Sequence, residues 1–124
     1  MFLHLKHTKL EVYNIARKLL IACYKLLQKF PPHEQFNLKF QIKKSALSIL
    51  LNLAEGSSRI STRERKRFFE VSRSSAVEID SAFDAAFDLK YVTIEDLNEA
   101  GRLLVSVFRM LCKMIGPSDD KGND

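Results

Sequence analysis

The segment SALSILLNLAEGSSR, residues 45–59, is apolar for most of its length and then stops. Taken with the residues before it and plotted at 100° per residue, it carries two apolar stripes. Leu38, Ile42, Ala46, Ile49 and Leu53 share one side, and Phe40, Leu47, Leu51 and Ala54 lie roughly opposite. A helix in a lone bundle hides one stripe and wets the other face, so two apolar flanks call for a second partner. Each Leu or Phe left in water forgoes about 1.5–3 kcal/mol of burial. The spacing predicts a helix from Leu38 to Glu55 whose second stripe (Phe40, Leu47, Leu51, Ala54) lies between subunits of an oligomer. Gly56 is the expected residue just past the helix end, in a left-handed conformation.

Upstream, Thr8-Lys9-Leu10-Glu11 reads as a capping box. Val12, Ile15, Ala16, Leu19, Ala22, Cys23, Leu26, Leu27 and Phe30 then recur at helical spacing until Pro31-Pro32 ends the first helix. HEQFN is a connector with room for one tight turn. Downstream, Ser61-Thr62-Arg63-Glu64 is a second capping box, opening a helix from Thr62 to Lys90. Phe68, Ser72, Ser75, Ile79, Ala82 and Ala86 form its seam, which Phe69, Ala76, Phe83 and Phe87 widen. Tyr91-Val92 ends it. Thr93-Ile94-Glu95-Asp96 caps a fourth helix with Leu97, Ala100, Leu104, Val107, Phe108, Leu111 and Ile115 on its apolar face, closed by Gly116-Pro117. Four helices with short connections and no competing strand pattern predict a single-domain, all-α, antiparallel up-down-up-down four-helix bundle over residues 1–116. Residues 117–124 read as a disordered polar tail.

Composition agrees. The 124 residues, 46% of them hydrophobic, suit one globular domain, and only four Gly and three Pro interrupt it. The apolar run from Ala46 to Ala54 is too short to span a bilayer. The N-terminus has no adequate hydrophobic region or cleavage site for a signal peptide. Cys23 and Cys112 fall on predicted core faces and read as free thiols of a cytoplasmic protein. The net charge of +5 conceals an asymmetry: residues 1–73 hold 15 Lys/Arg against 5 Asp/Glu, a net +10, and residues 74–124 hold 5 against 10, a net −5. Such a two-ended chain has the electrostatics of a polyanion binder on one side only.

Five stretches carry a family resemblance: Phe30-Pro31-Pro32-His33-Glu34, Gln41-Ile42-Lys43-Lys44-Ser45-Ala46, Asn52-Leu53-Ala54-Glu55-Gly56-Ser57-Ser58-Arg59, Lys66-Arg67-Phe68 and Leu89-Lys90-Tyr91-Val92. In that order they resemble the four-helix-bundle proteins encoded in intervening sequences of bacterial 23S rRNA genes, over about residues 8–115. The resemblance implies a ring-shaped homopentamer with a suspected role in binding RNA or DNA. A related branch serves diversity-generating retroelements as an accessory protein, partnering a reverse transcriptase and nucleic acid. Where that family usually has a Pro-Ser or similar pair, this chain has Leu50-Leu51, which predicts a straighter and more apolar second helix.

Asn52, Glu55, Gly56 and Arg59 admit two readings. In the structural one, Asn52 bonds a neighbouring helix, Glu55 pairs with Arg59 or another cation, and Gly56 caps. In the other, Glu55 and Arg59 belong to a ligand-facing rim. Arg59, Arg63, Arg65, Lys66, Arg67 and Arg73 form a basic run to which Lys39, Lys43 and Lys44 of the preceding helix can add, and fixed cations at this density suit phosphate contacts. The alternative is a solvated helix face with local ion pairs such as Lys66 or Arg73 with Glu70. With Phe68 and Phe69 expected in the core, no aromatic interleaves the patch, so contact with backbone or shape is favoured over base stacking. Asp80, Asp84 and Asp88 stack at i, i+4 spacing without the Glu-x-x-His motif of di-iron bundles, so neither metal nor cofactor is expected. His4, His7 and His33 are scattered, and Ser57, Ser58, Ser72, Ser74 and Ser75 have no His/Asp arrangement in sequence, so no catalytic residue is assigned.

Overall fold

The computed structural model describes residues 1–117, so nearly all of the expected polar tail, 117–124, lies outside the described residues. Four helices make up the bundle: α1 (Glu11–Leu27), α2 (Leu38–Ser58), α3 (Thr62–Asp88) and α4 (Ile94–Ile115). Each packs on its neighbours in chain order, and α1 also packs on α4, which closes the square. Contacts across α2 and α3 run antiparallel: Gln41 and Ser45 both reach Glu78, Ser48 meets Ser75, and Ile49 meets Ser72. Cys23, Ile42, Ile49, Leu53, Ile79, Val107 and Leu111 are fully enclosed and form the centre.

The helix ends correct the sequence reading in three places. Thr8 does not cap α1. It lies in a 3₁₀ turn, Lys6–Lys9, and its hydroxyl donates to the Leu5 carbonyl at 2.7 Å, while Leu10 holds the N-cap position without a side-chain bond. A short hydroxyl side chain with a carbonyl three residues back satisfies itself locally. Helix α1 also ends at Leu27, before Pro31-Pro32. Gln28, Lys29 and Phe30 then step down through i→i−3 bonds that bury Phe30 in the core.

Gly56 is not a left-handed terminator. It is a buried residue inside α2, which continues to Ser58 with Arg59 as its cap. A Cβ placed on Gly56 would lie 2.7 Å from Cε1 of Phe69 and 3.0 Å from Cβ of Phe68. Glycine is required there because α3 crosses α2 at close range, not because the backbone turns.

The caps that open α3 and α4 and the stop of α4 follow expectation, and α3 ends two residues early. Ser61 accepts the Glu64 N–H at 3.0 Å, one arm of the expected box. Helix α3 stops at Asp88 rather than Lys90, because Lys90 takes a left-handed φ of 64°. Thr93 and Asp96 form a complete reciprocal box at 3.1 and 2.9 Å, and Gly116, with φ of 74°, closes α4. The connector between α1 and α2 is a 3₁₀ turn, Pro32–Glu34.

Candidate nucleic-acid interface

The α2–α3 connection is a three-residue bend, Arg59 to Ser61, at one end of the bundle. It gathers Arg59, in the bend itself, with Arg63, Arg65, Lys66 and Arg67 in the first two turns of α3. Arg65 donates from Nε to the Arg59 carbonyl at 2.7 Å, and Arg59 donates to Glu55 Oε2 at 2.9 Å, the i, i+4 pair foreseen from spacing. Both members of that pair are largely exposed, so it orients the guanidinium more than it stabilises the fold.

Phe68 overturns one expectation. Its ring is half-exposed, while Phe69 alone is buried. The guanidinium carbon of Arg59 lies 4.9 Å from the Phe68 ring centroid and that of Arg67 lies 5.3 Å away. The cationic end therefore does carry an aromatic, and two arginines are held against its face. Sequence periodicity missed this because Phe68 and Phe69 are adjacent and only one of two neighbours can face the core.

The 3₁₀ turn at Lys6–Lys9 brings Lys6 and His7 to the same end. Together with Ser57, Ser58, Arg59, Ile60 and Arg65 they line a cleft of about 360 Å³. Nothing in the sequence joins residue 6 to residue 59; the contact of this turn with α2 does.

The remaining lysines do not join the patch. At about 1.5 Å per residue along α2, Lys39 lies roughly 30 Å from Arg59. Lys39, Lys43 and Lys44 sit at the level of Glu78, which accepts from Gln41 at 2.9 Å and Ser45 at 3.3 Å, near the start of the Asp80, Asp84, Asp88 column. Lys43 lies over the Tyr24 ring at 5.2 Å. Arg73 is half-buried between α3 and α4, with Nη1 3.8 Å from Cys112 Sγ. Cys112 is itself only half-buried, whereas Cys23 is enclosed.

Asn52 stays within its own helix, donating to the Ser48 carbonyl at 2.9 Å and to Ser48 Oγ at 3.1 Å, so the expected bond to another helix is not made. The inter-helix polar seam belongs to serines instead: Ser72 donates to the Ile49 carbonyl at 2.9 Å and Ser75 to Ser48 Oγ at 2.8 Å. Ser57 and Ser58 donate to carbonyls of their own helix. Among the described residues every buried side-chain N or O has a partner. Asp80, Asp84 and Asp88 are exposed on α3, and no three His, Cys, Asp or Glu side chains among the described residues assemble a metal cage.

At the opposite end the motifs FPPHE and LKYV meet. The buried Glu34 carboxylate accepts from Tyr91 Oη at 3.1 Å and from the Leu38 N–H at 3.2 Å, which caps α2 from four residues upstream. Desolvation, then the bond to Glu34 and its charge, push the Tyr91 phenol above its ordinary value. His33 Nε2 lies 3.3 Å from Tyr91 Oη. These residues tie the two connectors together.

The outer stripe of α2 is bare: Phe40, Leu47 and Leu51 are 54%, 43% and 54% exposed, and Ala54 is half-buried. A groove of about 260 Å³ runs between α3 and α4, lined by Val77, Val105 and Phe108 together with Asp80 and Arg109. No described helix is long and apolar enough to cross a membrane.

Comparison with known proteins agrees with this architecture. A solved structure from Bacteroides thetaiotaomicron, a protein of unknown function from the S23 ribosomal protein family, superposes with a TM-score of 0.76 at 18% identity, over 86% of this chain and 99% of that one. At that identity the likeness speaks for the fold alone. No curated protein sequence matches the chain. The sequence family of 23S rRNA-intervening sequence proteins matches residues 8–113, nearly the whole bundle, and the chain belongs to that family.

Proposed function

We propose that the protein is a non-enzymatic, self-associating cytoplasmic bundle that holds RNA or DNA by its phosphate backbone. The observation that carries this reading is the convergence of Arg59, Arg63, Arg65 and Arg67 with Lys6 at one end of the bundle, two of the arginines resting on a half-exposed Phe68. Guanidinium groups held in place by a ring and by the Arg59 carbonyl are pre-ordered for bidentate phosphate contacts. The cations gathered at that end supply long-range attraction for a polyanion. Lys39, Lys43 and Lys44 stand apart from this end and belong to the self-association face.

Self-association follows from the two apolar flanks. The stripe runs beside Lys43, which lies over Tyr24 of α1, whereas the groove is lined by α3 and α4 alone, so the two are separate surfaces. They differ in shape and lining: Lys43 and Lys44 border the stripe, and Asp80 and Arg109 border the groove. Two unlike apolar patches suit head-to-tail contacts, which make a ring when the rotation between copies closes; five subunits is the number that the family resemblance suggests. A ring would set copies of the cationic end side by side. A partner protein, such as a reverse transcriptase, is the second reading, and the same exposed stripe favours it.

Mobility shift with structured rRNA fragments and duplex DNA at several salt concentrations tests the function. Binding at low salt that weakens steeply with added salt, and is lost on Arg63→Glu with Arg67→Glu, is the expected result. Absence of a shift at low salt, or a shift indifferent to the two reversals, would overturn it.

A further inference from the structure

The cleft at the cationic end has features that a general phosphate-binding surface does not need. Its lining includes Lys6 and Arg65, a point charge and a guanidinium fork. With Arg65 Nε committed to the Arg59 carbonyl at 2.7 Å, the fork is fixed in direction and its Nη groups remain for a ligand. Arg59 also lines it, with its guanidinium held 4.9 Å from the Phe68 ring centroid and 2.9 Å from Glu55. The lip is aliphatic: Ile60 is 93% exposed and Leu5 is 44% exposed. Ile60 stands in the bend between two helices, where a polar or glycine residue would serve the turn equally well. The volume, about 360 Å³, is at the small end of the range for ligand pockets.

We infer that this cleft takes one unstacked nucleotide unit: its phosphate on Lys6 and Arg65, and its base against the exposed Ile60 side chain at the edge of the cleft. The assignment rests on the backbone-binding reading above and makes it more specific. Backbone contact alone needs cations and no apolar lip. A cation cluster beside an exposed aliphatic side chain matches a phosphate with a flat, weakly polar neighbour, as in splayed-out single-stranded residues. The unit comes either from a free nucleotide or from an unpaired position of a strand; a paired duplex keeps its bases stacked inside and reaches only the phosphate site.

The test is amide chemical-shift titration of the isotope-labelled full chain with four probes: inorganic phosphate, uridine monophosphate, a short single-stranded oligouridylate and a blunt duplex. The amides of Lys6, His7 and Ser57 to Ile60 should move with the oligouridylate and, at higher concentration, with the mononucleotide, and move less with phosphate at equal concentration. Ile60→Ser, which removes a side chain that packs on nothing, should weaken the oligouridylate on the order of tenfold, the size of one base-stacking contact. It should leave the duplex shift of the cationic end unchanged. Arg65→Gln should weaken both. If phosphate moves these amides as far as the nucleotide does, or Ile60→Ser binds the oligouridylate as well as the native chain, the nucleotide site is refuted while backbone binding stands. Failure of every nucleic-acid probe at low salt refutes both.

Discussion

Gly56 on α2 faces the edge of the Phe69 ring on α3, so closely that an alanine methyl there would come within 2.7 Å of Cε1. Gly56→Ala gains about 1 kcal/mol of helix propensity but forces a packed aromatic to move, at about 1–3 kcal/mol. The expected net effect is a loss of about 1 kcal/mol in urea unfolding. Gly101, inside α4, has nothing within 4 Å of its position for Cβ. Gly101→Ala should therefore stabilise by about 0.5–1 kcal/mol. Equal effects at the two glycines would contradict the close crossing of α2 and α3.

The Glu34 carboxylate joins the two connectors at the end opposite the cationic cleft, accepting from Leu38 N–H and Tyr91 Oη. Glu34→Ala should lower stability by about 1.5–3 kcal/mol, the range for bonds to a charged group at a buried position. Tyr91→Phe should destabilise in the same direction, and the double variant should lose less than the sum of the two. Additive losses in denaturant melts would show that the pair is not coupled.

Burial pushes the Cys23 thiol from 9.0 to about 12. The unfolded chain releases that proton near its ordinary value and the folded chain does not. The stability it contributes is therefore complete below pH 9 and is lost as pH rises from 9 towards 12. Below pH 9 a thiol reagent should modify the half-buried Cys112 in the native protein and reach Cys23 only on unfolding. Two equivalents reacting at one fast rate without denaturant would contradict the enclosure of Cys23.

Head-to-tail assembly has a signature in mixtures. Leu51→Asp should disable the α2 stripe and Val105→Asp the α3–α4 groove, each leaving single chains at micromolar concentration. Mixed together, the two variants keep one intact stripe and one intact groove, and should form heterodimers that stop at two, visible by native mass spectrometry. Mixtures that stay monomeric would mean that stripe and groove do not meet.

The helices were legible in sequence because periodicity, the Ser61 and Thr93 caps and the Gly116-Pro117 stop agree with one another. So was the Glu55–Arg59 pair, which i, i+4 spacing dictates. What escaped depends on contacts between distant segments. Gly56 has two meanings in a helix, terminator or close crossing, and only the position of Phe69 decides between them. The exposure of Phe68, the arrival of Lys6 beside Arg65 and the distance of Lys39 from Arg59 are likewise set by packing. Charge counted along a chain overstates a patch when a continuous helix carries its two halves to opposite ends of a bundle.

Light scattering coupled to size exclusion at micromolar concentration tests the central claim, that the exposed stripe of Phe40, Leu47 and Leu51 is an interface. The native chain should elute at a multiple of 14.3 kDa, and the Leu47→Asp, Leu51→Asp double variant should elute at 14.3 kDa itself while remaining helical. A native chain measured at 14.3 kDa, with that stripe left in water, would contradict the account.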